Sequence, residues 1–160
     1  MPATGAPTEQ AQKVLALLPV LRQWVTMRVQ QASADCDLSL RQYAALHGIR
    51  EGASSPGELA RLWQVTPAAL TGIVDRLERR GLVRRTPDPS DRRRLCLVLT
   101  EEGLRTSRQV ESALTTDLAM QLATASPAEL AELERALDLL QQTLAALEER
   151  APSTGANLWS

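Results

Sequence analysis

Phenylalanine is absent from this 160-residue chain, and only four aromatic side chains occur: Trp24, Tyr43, Trp63 and Trp159. A core without aromatic bulk must be filled by aliphatic side chains, and the abundance of Leu and Ala favours helix. Cys36 and Cys96 are too few for a disulfide scaffold and stand at no metal-ligand spacing. With His47 the single histidine, a zinc site is not expected, nor is any other metal or cofactor. No apolar run approaches the roughly 20 residues that span a bilayer. The opening MPATGAPTEQ lacks the basic and apolar regions of a secretory leader. The chain is expected in the cytoplasm, with no membrane partner. It also shows no Ser-His-Asp or Cys-His arrangement, phosphate loop or paired carboxylates in a plausible site, so an enzyme is not expected.

Lysine is scarce as well, so nearly all the cations are arginine. The net charge of −1 hides an asymmetry. Arg41 to Arg94 carries eleven arginines against six acids, a net of +5, whereas Leu95 to Arg150 carries four against ten, a net of −6. A basic middle beside acidic flanks points to one local anionic partner.

The chain is read as a single domain over 1–160. Thr8 is expected to cap a first helix to about Ala34, with Val14, Leu17, Leu21 and Trp24 on one face. Ser39 with Gln42, Ser55 with Glu58, and Ser126 with Glu129 are capping boxes that open three more helices. Thr66-Pro67 starts another, with Leu70, Ile73, Val74 and Leu77 inward and Gly81 as its left-handed stop. Leu82–Thr86 and Leu95–Leu99 read as two short strands. Thr100 caps a long helix to about Ala125, and the last helix carries Leu130, Leu133, Leu137, Leu140, Leu144 and Leu147 at alternating spacings of three and four. That is a narrow seam of the coiled-coil kind. The fold class is thus mainly α: a helix-turn-helix with a two-stranded hairpin behind it, the layout of a winged helix-turn-helix, over 39–99, between long helices over 8–34 and 100–150 that must bury their apolar faces on each other or on another chain, the narrow seam favouring dimerisation helices.

In LARLWQVTPAALTGIVDRLERRGLV the second helix is the candidate recognition helix. Its leading outward residues, Thr66, Pro67, Ala69, Thr71 and Gly72, are small and suit close approach to base edges; Arg76, Arg79 and Arg80 come later, where such a helix passes phosphates. The turn DPSDRRR then sets Arg92, Arg93 and Arg94 together at a hairpin tip, although their like charges repel. Beside a recognition helix, such a tip can reach the adjacent minor groove, whose narrow A·T-rich form attracts an inserted arginine. Asp91 is placed to hold one of these arginines by a bidentate pair.

The stretch LTGIVDRLERRGLVRRTPDPSDRRRLCLVLTEEG resembles the signature of the MarR family of winged helix-turn-helix regulators. The matching elements are L-T on the recognition helix, R-L-E-x-x-G-L-V closing it, D-R-R in the wing and L-T-x-x-G opening the next helix. The resemblance implies a homodimer, recognition of double-stranded DNA by helix plus wing, and often repression relieved by a small ligand or an oxidant. It puts the minor-groove arginine at Arg93, with Asp91 orienting it. A two-fold dimer implies a pseudo-palindromic operator. The dimer interface is expected from Val14, Leu17, Leu21, Leu133, Leu137, Leu140 and Leu144.

A small-molecule effector, anionic and aromatic, would find Trp24, Arg28, Tyr43 and His47 as candidate contacts; a cation lying along a helix end and a packed histidine are the plainer readings. Trp63 is expected in the core. Thiol-based sensing is an alternative to ligand control. Cys36 stands between Asp35 and Asp37, whose charge dulls a thiol, and Cys96 on a wing strand reads as a small hydrophobe. A winged helix serving only protein contacts is the other alternative, and it leaves the arginine wing unexplained.

Overall fold

The computed structural model describes residues 5–33, 37–53, 55–62, 66–88 and 95–150. Six helices and one hairpin follow in the order α1 (Ala6–Ala32), α2 (Leu40–Arg50), α3 (Pro56–Leu62), α4 (Pro67–Arg79), β1 (Val83–Pro87), β2 (Leu95–Leu99), α5 (Glu101–Leu122) and α6 (Pro127–Arg150). The first boundary corrects the reading of the sequence. Thr8 does not cap α1; Gly5 stands at the N-cap with no side-chain bond, and the Thr8 amide already donates to the Gly5 carbonyl at 3.0 Å. Pro7 explains the earlier start, since a proline in the first turn gives up an N–H that has no helical partner there.

The polar caps form where their spacing predicts. Ser39 and Gln42 bond reciprocally at the start of α2, Ser55 and Glu58 at α3, and Ser126 and Glu129 at α6. Thr66 caps α4 by accepting from the Ala69 amide. At the other end of α4, Gly81 adopts a φ of 69°. Its amide reaches the Glu78 carbonyl and the Leu82 amide reaches Leu77, the paired bonds that close a helix through a left-handed residue.

The core is aliphatic, as the missing aromatics require. Leu38, Leu46, Leu59, Leu70, Val74, Leu77 and Leu82 are buried between α2, α3, α4 and the hairpin, with Val29 of α1 and Val110 of α5 closing it. β1 and β2 pair antiparallel from Val83↔Leu99 to Pro87↔Leu95, placing Val83 and Leu97 on the core side. Among the described residues, α6 supplies none to this core.

α5 begins hard against the end of α4. Thr100 caps it, its hydroxyl donates to the Gly81 carbonyl at 2.6 Å, and its amide donates to Leu82 at 3.1 Å. A Cβ at Gly103 would stand 1.9 Å from the Leu82 carbonyl oxygen, so the glycine of L-T-x-x-G is what lets the two backbones meet.

Candidate nucleic-acid interface

α4 buries one face and offers the other. Leu70, Val74 and Leu77 are fully buried, while Thr66, Ala68, Ala69 and Thr71 are exposed in the first two turns and Gly72 is partly so. Pro67 occupies the first helical position. The exposed edge stays small as far as Arg76, whose Nε donates back to the Gly72 carbonyl at 3.1 Å. Arg79 and Arg80 follow, also exposed. Arg80 is turned aside: its Nη1 donates to the Asp37 carbonyl at 3.1 Å and ties the end of α4 to the segment before α2.

The wing is joined to this helix by Arg85, which the sequence reading did not single out. Arg85 lies on β1, and its Nη2 meets Asp75 Oδ1 of α4 at 2.5 Å while Nη1 meets Glu78. Bonding to Asp75, then the charge of Glu78, holds the guanidinium pKa above its ordinary value against the cost of burial. The arrangement takes two carboxylates off the outward face of α4 and locks strand to helix. A sequence signal for it exists: Arg85 stands two residues from the buried Val83 on the same strand face, and an inward-facing charge needs a partner. Arg84, on the opposite side of the strand, is exposed. Among the described residues, no carboxylate lies within ion-pair reach of Arg76, Arg79 or Arg84. The expected minor-groove group, Asp91, Arg92, Arg93 and Arg94, lies outside the described residues, as do Cys36 and Trp63. Cys96 is half-buried on β2, opposite Thr86.

The four expected effector contacts fall into two groups, Trp24 and Arg28 on α1 and Tyr43 and His47 on α2. Arg28 binds Asp117 through two of its nitrogens, Nη2 at 2.9 Å and Nε at 2.5 Å, so an anion reaching it competes with a carboxylate already there. Trp24 and Asp117 line a cavity of about 310 Å³ between α1 and α5, with Leu118, Met120 and Gln121. Tyr43 and His47 lie on α2 with ring centroids 6.2 Å apart, and the cation beside them is Arg50, whose Nη2 lies 3.1 Å from His47 Nδ1. Burial, then the charge of Glu111, pushes the Tyr43 phenol pKa up. Of the expected interface residues, Leu17, Leu21, Leu133, Leu137 and Leu144 are between 38 and 64 % exposed in the single chain, and Val14 and Leu140 are half-buried.

Comparison with known proteins completes the picture. A sequence model of the MarR family matches residues 37–94. The HTH-type transcriptional repressor NicR of Pseudomonas putida is 38 % identical over 103 residues, covering 64 % of this chain and 65 % of its own length, just under two thirds. The uncharacterised HTH-type transcriptional regulator Mb0904 of Mycobacterium bovis is 33 % identical over 124 residues, covering 77 % of this chain and 85 % of its own. Among solved structures, apo MarR of Escherichia coli superimposes with a TM-score of 0.63 at 28 % identity, over 78 % of this chain and 94 % of that one. With the capped recognition helix, the wing clamped to it and these matches together, the chain belongs to the MarR family of winged helix-turn-helix transcriptional regulators and is a DNA-binding regulator.

Proposed function

We propose that this regulator works as a homodimeric, non-enzymatic repressor in the cytoplasm, binding a pseudo-palindromic operator and released from it by a small-molecule effector. The observation that carries the DNA geometry is the outward face of α4, small from Thr66 to Gly72 and cationic from Arg76 onward. Small residues let the helix approach base edges in the major groove, with the Thr71 hydroxyl and methyl at reading distance, while the arginines behind them meet phosphates. Arg93, aimed by Asp91, then enters the flanking minor groove, and Arg92 and Arg94 add charge at the same tip. The exposed leucines of α1 and α6 supply the self-complementary surface a two-fold dimer needs. Repression is the direction named for NicR.

The effector acts where α1 and α2 meet α5, since a molecule bound there changes how the DNA-binding core sits on the dimerisation helices. Trp24 with Arg28, and Tyr43 with His47, are the contacts assigned to it.

Footprinting on the regulator's own promoter region tests the reading. A protected site with dyad symmetry, its half-sites about 34 Å or one duplex turn apart, is expected. Arg93→Ala should weaken specific binding by roughly 1–3 kcal/mol, and G·C pairs at the flanks should penalise the parent protein more than the variant. Protection without dyad symmetry would overturn the dimeric docking, and equal losses on both flanks would reduce the wing to nonspecific charge.

A further inference from the structure

α5 is the element that leaves the DNA-binding core and continues toward the dimerisation helices, so its direction decides where the core sits in a dimer. Beyond Val110 and the partly buried Leu114, its contact with the core is made by small side chains. Between Glu101 and Glu111 the buried residues are Gly103, Thr106, Ser107 and Val110, and only Val110 is a sizeable apolar group. A helix seated on glycine, threonine and serine has little interdigitation to fix its angle.

Two polar attachments supply what packing lacks. The first is at Thr100, bonded to the turn that ends α4. The second is Arg50, the last residue of α2. Its side chain is 16 % exposed, and it grips Glu111 with two nitrogens, Nη2 at 2.8 Å and Nη1 at 2.6 Å. Nη1 also reaches Ser107 Oγ at 3.4 Å, Nε holds Glu51 Oε1 at 3.2 Å, and Nη2 stands 3.1 Å from His47 Nδ1. A guanidinium held on several sides has little freedom to follow a moving partner. The attachments at residues 100 and 111 lie about 16 Å apart along the axis, and two separated points define a direction where one defines only a hinge.

We infer that Arg50 and Glu111 are positioning residues that set the angle between α5 and the DNA-binding core, and through it the half-site spacing the dimer accepts. The inference rests on the dimeric reading above. From residue 100 to residue 122, α5 is about 33 Å long, so a tilt of about 5° about Thr100 displaces its far end by about 3 Å, close to one base-pair step. Loss of this one attachment is therefore large enough to blur the choice between neighbouring spacings. Arg28 with Asp117 holds the same helix to α1, on the dimerisation side. Asp117 is six residues beyond Glu111, about 240° further round the axis, so α5 is gripped from different sides by different parts of the molecule.

The test uses the full-length protein and duplexes selected by it from random sequence. Affinity is measured for the selected spacing, for spacings one and two base pairs longer and shorter, and for an isolated half-site. Glu111→Gln and Arg50→Met should each lose about tenfold at the selected spacing, within the usual range of site-to-site coupling, with half-site affinity unchanged and the spacing preference flattened. Arg50→Lys, which keeps the charge, should recover part of the preference. Glu111→Gln changes a 44 %-exposed side chain and keeps its size, so it folds even if Arg50→Met does not. Equal losses on half-site and full site, with the preference for spacing retained, would overturn the inference while leaving the dimeric reading standing. A parent protein with no spacing preference would overturn both.

Discussion

Replacing Arg85 by Met removes the cation that joins the wing to the recognition helix and keeps most of the side chain's apolar length. Arg85 is 28 % exposed, and its partners Asp75 and Glu78 are 41 and 37 % exposed, so solvent screens both pairs. Partly exposed ion pairs contribute up to about 1 kcal/mol each, which makes the joint loss at most about 2 kcal/mol. For a chain of this size each kcal/mol moves the melting temperature by about 2–4 °C, so a drop of no more than about 4–8 °C is expected. DNA binding should suffer more than stability. Without Arg85 the wing is no longer registered on α4, and Asp75 and Glu78 stand unneutralised three residues apart on the helix proposed to meet phosphates. The assay is affinity against salt concentration on a selected operator duplex. If Arg85 acts as a clamp, the variant binds weakly but the dependence of log K on log salt changes little, because no phosphate contact has gone. Adding Asp75→Asn and Glu78→Gln to Arg85→Met should then restore much of the affinity. A phosphate-binding arginine behaves otherwise: its loss reduces the salt slope by about one per protomer, and neutralising the two carboxylates does not bring the contact back. A reduced slope without rescue would refute the clamp.

Three further outcomes are expected. Gly103→Ala brings a Cβ to 1.9 Å from the Leu82 carbonyl oxygen, and overpacking against backbone should cost about 3 kcal/mol or more, read as a fall in the urea midpoint. On the proposed dimer, Leu137→Glu with Leu144→Glu should yield monomers or insoluble protein; light scattering showing a soluble dimer would place the interface elsewhere. The Arg50 guanidinium holds the Glu111 carboxyl below the ordinary 4.5. A depressed carboxyl stabilises the fold fully above its unfolded value and loses that contribution as pH falls through the folded value. The melting-temperature gap between the parent and Glu111→Gln should therefore be constant from neutrality to about pH 5 and close under more acidic conditions.

The local grammar of this chain was legible without a structure because its signals are short-range. A hydroxyl three residues before a Glu or Gln, a proline in a first turn and a glycine just after a last turn act within one segment, and all three boxes and the Gly81 stop form as their spacing predicts. Thr8 misled because Pro7 favours an earlier start as strongly as a threonine favours a cap. The periodic leucines likewise announced a face in need of cover.

Pairings between distant residues were not written in any spacing. Arg85 meets Asp75 and Glu78 only because β1 turns back along α4, and Arg50 meets Glu111 across 61 positions because α5 crosses the end of α2. Arg28 meets Asp117, 89 positions away, a partner that its place on a helix face does not announce. Ion pairs have no sequence period, and seventeen arginines among nineteen acids allow too many combinations to rank. Periodicity reports which side of an element faces inward; only the packing of elements on one another brings particular charges within bonding distance.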